Sequence, residues 1–478
     1  MRIPQLLLLL IASAIGSWSN AEEPRSMNVL MIAIDDLNDY PSLMQNYPGV
    51  KTPNFDAFAK TALHFTRAYC PGTMCNPSRS AILSGVAPYR SGIYQNGQLW
   101  QDSALLNSVK TMPQVFRDSG YHTMGSGKLY HSKPTDKQWV AQWDDDEGGS
   151  GKFAPNVKPN PIPDSVEKPP LFNYGAVDQS EVSDFQLLDF ARKRLAASYD
   201  KPFFMAHGIR YPHNPWVVPQ RFLDLYPDSE LTFPPPGYKA DDLDDVPAVA
   251  RDYAANPVDR EALERAGHWK PVVRHYLASV SAADEVFGEV INALDASPYA
   301  DNTIVVVWAD HGFHLGEKDH FAKYALWEQT TNVLFMVRVP GMTSGGSTCE
   351  RTVLLQDLYP TLVDLCQLKD PGHRLDGRSL LPLLKSPEAE WPYPAITTHM
   401  RGDHAVRSED FRFIRYHNGS QELYDEAVDP NEWTNLAEKP EFKTVIEELE
   451  ASLPKENAEP PPSSKKQKRK QTRKQLNQ

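Results

Sequence analysis

Adjacent carboxylates at the end of a buried strand repel one another unless something positive sits with them. This chain has such a pair, Asp35 and Asp36, directly after the apolar run 28–34 (NVLMIAI). A further acid, Asp310, is followed by His311 and comes directly after the run 304–309 (IVVVWA). Each group on its own also reads as a strand-end cap or turn. Two of them after strands of one sheet can converge on a single cation, and oxygen donors suit a hard ion.

A third reactive type is Cys75, followed by Asn76, Pro77, Ser78 and Arg79 and by a helical pattern over 78–83. A thiol just before a helix is activated by the positive end of the helix. Taken alone, Cys75 reads either as a structural thiol or as a nucleophile with a histidine partner. Lys128, Lys323, His131 and His213 carry little signal as single residues: a lone lysine is normally a surface charge and a lone histidine a structural one. His314 and His320 read as structural or as substrate-facing loop residues near the Asp310 strand. The acidic runs 144–147 and 241–245 read as solvated loops.

The elements that must bring these residues together follow from periodicity. Runs 28–34, 203–207, 304–309 and 333–337 are short continuous apolar stretches, the pattern of strands buried on both faces. Segments 52–63, 78–83 and 272–294 show helical spacing, with Thr52 and Pro53 as N-cap and first helical residue. Alternating strands and helices predict an α/β fold with a mixed or parallel sheet between helices. Such sheets bind ligands at the carboxyl ends of their strands, where both acid groups fall. From about residue 395 the texture changes: 412–416 and 422–424 read as antiparallel strands and 442–453 as a last helix. The chain therefore divides into a signal peptide (1–21), a catalytic body (22–394), a small α+β subdomain (395–454) and a disordered basic tail (455–478). A long surface loop is expected over 147–170.

The stretch CNPSRSAILSG (75–85) resembles the signature C-x-P-S-R-x-x-x-L-S/T-G of the formylglycine-dependent (type I) sulfatases at every fixed position. Other segments agree. Gly127, Lys128 and His131 look like the family's G-K-x-x-H, and Pro212 and His213 resemble its P-H loop. Asp310, His311 and Gly312, with Lys323, match its D-H-G and following lysine. The C-terminal E-L-Y-D (422–425), D-P (429–430) and N-L (435–436) are similar as well. The resemblance spans roughly residues 28–453. His311, where many sulfatases have Asn, looks most like the iduronate-2-sulfatase branch.

The resemblance implies an alkaline-phosphatase-like mixed sheet sandwiched by helices, and hydrolysis of a sulfate ester on a sulfated carbohydrate. It implies that a formylglycine-generating maturation enzyme oxidises Cys75. It implies one Ca2+ held by Asp35, Asp36, Asp310, His311 and the modified Cys75. It gives Arg79 and Lys128 the task of holding formylglycine, and makes His131 its base. His213 and Lys323 bind sulfate and assist the leaving oxygen. A 2-sulfated uronate at a glycan end is the substrate it favours.

Composition sets the remaining bounds. With 41 Pro in 478 residues, much of the chain must be loop, which suits a sheet whose strand ends carry long site-building segments. Residues 1–21 combine Arg2, an apolar core over 6–16 and small residues at 19–21, the pattern of an export signal too short to span a bilayer. No later run is long enough for a membrane span, so a secreted or periplasmic protein is expected. The net charge is −13 even though the last fifteen residues hold seven Lys or Arg and no acid. So acidic a body argues against nucleic acid as partner and requires local cations for any anionic substrate. Cys349 and Cys366 are open to pairing or to remaining buried thiols. A zinc phosphoesterase of the same fold would need Ser or Thr as nucleophile and more His and Asp ligands. A glycan-binding protein whose Cys75 is never oxidised is the alternative from outside catalysis.

Overall fold

The computed structural model describes residues 27–147, 160–161 and 173–461. The expected signal peptide, most of the 147–170 loop and the end of the basic tail lie outside the described residues.

The frame is an eight-stranded sheet. Its strands are β1 (Asn28–Asp35), β2 (Leu63–Phe65), β3 (His122–Gly127), β4 (Asp145–Glu147), β5 (Phe203–Pro212), β6 (Thr303–Ala309), β7 (Phe335–Arg338) and β8 (Ser347–Cys349). Their order is β8-β2-β7-β6-β1-β5-β3-β4. The five strands from β6 to β4 are parallel, and β7 alone runs against its neighbours. Every residue of β1 and β6 is buried, as their unbroken apolar runs require.

Two groups of helices sandwich the sheet. On one side, α3 (Trp269–Asp295) packs on α2 (Ser183–Ala196) and β5. On the other, α1 (Cys75–Ser84) packs with Met112–Asp118 and Leu358–Leu365. All ten residues of α1 are buried. It ends at Gly85, whose φ of +72 lets its N–H return to Ala81 O, an ending that a residue with a Cβ adopts only under strain.

A four-stranded antiparallel meander follows: β9 (Ala395–Thr398), β10 (His404–Arg407), β11 (Phe411–Arg415) and β12 (Gln421–Asp425). One face packs on α4 (Lys443–Glu450) through Val406, Phe413, Leu423, Ile446 and Leu449. The other face, through Ala405, Ile414 and Tyr424, packs on Leu326 and Trp327 of the body. Arg412 is fully buried and pairs with Glu328, Glu426 and Glu432, bridging meander and body.

Three details depart from the sequence reading. The acidic run at 144–147 is no solvated loop, since Asp145–Glu147 pairs with Met124–Ser126 as the edge strand. In the second acidic run, Asp242 is buried against Lys318 at 3.0 Å. The first seven residues assigned to the tail, 455–461, dock on the body: Ala458 N–H donates to Tyr89 O at 2.7 Å, and Tyr94 OH donates to Ala458 O at 2.9 Å. The basic run that follows lies outside the described residues. Cys349 and Cys366 remain free thiols.

Candidate active site

Strand register assembles the site. Ile34 of β1 is paired with Ala309 of β6, so the next residues, Asp35 and Asp310, emerge side by side. Asp35 is also paired with Pro212 of β5, which puts His213 at the same edge. Gly127 of β3 is paired with Gly208 of β5, and Lys128 follows it. Four adjacent parallel strands thus deliver their carboxyl-end residues to one place.

Arg79 ties the strand ends together from inside α1. Its Nε donates to Asp310 Oδ2 at 2.7 Å and its Nη2 to Asp35 Oδ1 at 3.2 Å. Its Nη1 reaches the carbonyls of Lys128 and Leu129. A planar fork satisfies all of these at once, whereas a lysine offers a single point. Ser78 Oγ adds a 2.6 Å bond to Asp310 O.

Cys75 is the first residue of α1 and has no exposed surface. Three basic side chains converge on its Sγ: Lys323 Nζ at 3.2 Å, His311 Nε2 at 3.3 Å and Lys128 Nζ at 3.6 Å. Burial alone would raise the thiol, but Lys128, Lys323 and His311 outweigh it and hold Cys75 well below the ordinary thiol value. His131 is solvent-exposed and helps to hold the Cys75 thiol down. Burial would raise Asp35 too, but the ammonium of Lys128 beside it keeps its carboxylate ionised. Lys323 Nζ donates to both Asp36 oxygens, at 2.7 and 2.9 Å, and His213 Nε2 lies 3.8 Å from Asp36 Oδ2.

The ten residues that the resemblance assigned to the site therefore lie together at this sheet edge. Several that support it were not singled out. Tyr276 of α3 donates its hydroxyl to Asp36 O at 2.8 Å and accepts from Asn38 N–H, bracing Asp36 at its φ of +60. His320, expected to be structural or substrate-facing, lies 2.8 Å from Lys323 O and fixes the loop that carries that lysine. Asn96 Oδ1 accepts from Asn76 N–H at 2.9 Å, anchoring the start of α1. The only sequence signal for these was residue type.

The donors suit a hard cation. Asp36, Cys75 and His311 form one group of ligand atoms within 4.8 Å of one another. Asp35, Cys75 and Asp310 form a second, and Asp35, Asp36 and His213 a third. The groups overlap in Asp35, Asp36 and Cys75, and three of their six residues are carboxylates.

Known proteins resemble this chain in sequence and in fold. Residues 27–368 match the family described as Sulfatase, and residues 316–459 match the one described as N-sulphoglucosamine sulphohydrolase, C-terminal. A sulfatase of Formosa agariphila is 38% identical over 450 residues, covering 90% of this chain and 87% of its own. Iduronate 2-sulfatase of Homo sapiens is 31% identical over 406 residues, covering 77% and 70%. The phosphonate monoester hydrolase of Agrobacterium radiobacter has the same fold, with a TM-score of 0.74 at 20% identity over 89% of this chain and 94% of its own. The architecture is the alkaline-phosphatase-like α/β fold. The match over most of the chain and the close relatives together place the chain in the sulfatase family, as a hydrolase of sulfate esters.

Proposed function

We propose that this protein is an exported, calcium-dependent sulfatase that removes sulfate from a sulfated glycan through a formylglycine made from Cys75. The observation that carries this reading is the convergence of Lys323, His311 and Lys128 on the buried Cys75 sulfur, within a ring of strand-end carboxylates. In the mature enzyme the oxygens of the hydrated aldehyde take the place of that sulfur. A signal-like segment at 1–21 supports export, to the periplasm or the medium, and a maturation enzyme must act on Cys75.

The chemistry follows from the side chains present. A sulfate ester is anionic, so Lys128, Lys323 and His213 meet its oxygens. Arg79 and Lys128 hold the hydrate in place. One hydroxyl of the hydrate attacks sulfur while His131 takes its proton. The bond from sulfur to the substrate oxygen breaks, and that oxygen leaves as an alcohol with a proton from the His213 and Lys323 side. Sulfate is now esterified to the hydrate carbon. When the second hydroxyl loses its proton, the aldehyde C=O re-forms, the C–O bond to sulfate breaks and sulfate departs. Water then rehydrates the aldehyde. A plain serine would stay sulfated. Asp35, Asp36, Asp310 and His311 would hold a calcium ion, which would supply positive charge to offset that of the sulfate.

The 31% identity to human iduronate 2-sulfatase, together with His311, supports a 2-sulfated uronate as one specific substrate.

Mass analysis of the Cys75 peptide is expected to give formylglycine in protein made alongside a maturation enzyme. Cys75→Ala should abolish sulfate release and leave the circular dichroism spectrum unchanged. Undiminished release by that variant would sink the mechanism.

A further inference from the structure

Next to Cys75 lies a cavity of about 470 Å³ whose walls include Met74, Tyr253, Asn256, Tyr324 and His399. Met74 directly precedes Cys75 and Tyr324 directly follows Lys323, so the cavity adjoins the reacting end of the site. Its size is that of a small-ligand pocket.

Tyr324 has a φ of +86, a conformation that bulky side chains rarely adopt and that costs energy wherever it is held. Its N–H reaches Thr73 O at 3.4 Å, and its half-buried ring forms part of the cavity wall. Tyr253 supplies a second ring. Its hydroxyl donates to Asp403 Oδ2 at 2.7 Å, and the ring meets His399 edge-on at 4.5 Å. His399 is buried, with Nδ1 2.6 Å from Thr73 Oγ1, and burial pushes its pKa down to about 4, so the imidazole is neutral. Asn256 is exposed at the rim and donates to Asp252 O.

Charge is the informative feature. Among the described residues, none that lines the cavity is Lys, Arg, Asp or Glu. Arg401, next in sequence to the wall residue Met400, is paired instead with Glu459 at 2.7 Å and donates to Asn457 O.

We infer that this cavity receives the sugar beside the scissile sulfate as an uncharged ring, packed on Tyr253 and Tyr324. The inference rests on the sulfatase reading proposed above. The C–H faces of a sugar suit aromatic rings, and its hydroxyls or an N-acetyl group suit the amide and imidazole groups present. A uronate carboxylate placed here would lose its water with no cation to pair with. The cavity therefore points away from the 2-sulfated uronate that the likeness to iduronate 2-sulfatase supports, and toward sulfated neutral sugars or N-acetylhexosamines.

The test is sulfate release by the mature, formylglycine-containing protein. Its substrates are galactose 6-sulfate, N-acetylglucosamine 6-sulfate, an unsaturated uronate 2-sulfate, choline sulfate and 4-methylumbelliferyl sulfate. One of the two neutral sugars is expected to show at least a tenfold higher kcat/KM than the uronate. Asn256→Arg, a change at an exposed rim position, should shift that ratio at least tenfold toward the uronate. Tyr253→Ala should raise KM for the neutral sugar about tenfold with kcat within twofold, and Tyr253→Phe, which keeps the ring, should not. Preference for the uronate or for choline sulfate, or an unchanged KM in a folded Tyr253→Ala, overturns the inference while sparing the sulfatase reading. No turnover of any ester, the aryl sulfate included, would instead be the failure of that reading.

Discussion

Lys323 and Asp36 show how much of this site rests on single side chains. The ammonium holds both oxygens of Asp36 and lies 3.2 Å from Cys75 Sγ, so one lysine links a proposed metal ligand to the proposed nucleophile. Asp36→Asn keeps the shape and removes one negative charge from an oxygen-rich donor set, and hard cations bind such sets largely through that charge. Metal analysis after dialysis against calcium is expected to find about one ion per chain in the parent and well under half of that in the variant. Equal calcium in both proteins would remove Asp36 from the ligand set. At this scale the sequence was most legible where a motif fixes residue types, as for Cys75 and Arg79. It was silent on Tyr276, which reaches Asp36 across 240 positions, because a hydrogen bond between distant segments leaves no local pattern.

Between elements, β3 and β5 approach each other closely at the site. A Cβ on Gly127, whose φ is +70, would stand 1.9 Å from Gly208 O, and one on Gly208 would stand 2.4 Å from the backbone of Lys128. Neither neighbour is a flexible side chain, so the strands themselves would have to part. Gly127→Ala is therefore expected to displace Lys128 from Asp35 and Cys75, cutting sulfate release by about tenfold or more and lowering stability by roughly 1–3 kcal/mol. Near-parent activity with an unchanged melting temperature would show that the strands separate without consequence. The strands β1, β5 and β6 were legible as unbroken apolar runs. The reversed direction of β7 was not, because a short buried run carries no sign of its orientation. The edge strand β4 was also hidden, since its acidic residues are typical of loops and only pairing with Met124–Ser126 makes them a strand.

Over the whole molecule, buried histidines and the docked segment 455–461 each contribute to stability. His64 in β2 is buried, and burial pushes its pKa from 6.5 down to about 4. A folded-state value below the unfolded one means the unfolded chain binds the extra proton first. The stability this residue contributes is therefore complete above pH 6.5 and drains away as pH falls toward 4. Between pH 7.5 and 5, His64→Leu should lose about 2 kcal/mol less stability than the parent, measured by urea unfolding at both values. An equal loss would mean that His64 does not titrate on unfolding.

The tail has the more direct link to function. Residues 455–461 were read from composition as tail, because Pro and charge dominate there and no apolar period marks a docking face. Their contacts are instead hydrogen bonds and the Arg401–Glu459 ion pair. Besides the Ala458 bonds to Tyr89 and Tyr94, Asn457 Oδ1 lies 2.9 Å from His404 Nε2, and Gln98 Nε2 donates to Pro461 O at 3.3 Å. Gln98 Oε1 in turn accepts from the N–H groups of Tyr94 and Gln95, which shapes the turn whose Asn96 anchors Asn76 beside Cys75. A chain ending at Pro454 loses this support behind the nucleophile, and one ending at Pro461 keeps it. At about 1 kcal/mol per hydrogen bond, the shorter chain should lose roughly 2–4 kcal/mol and show a raised KM. The longer one should match the full chain in melting temperature and sulfate release. If both truncations behave alike, residues 455–461 take no part in holding the site.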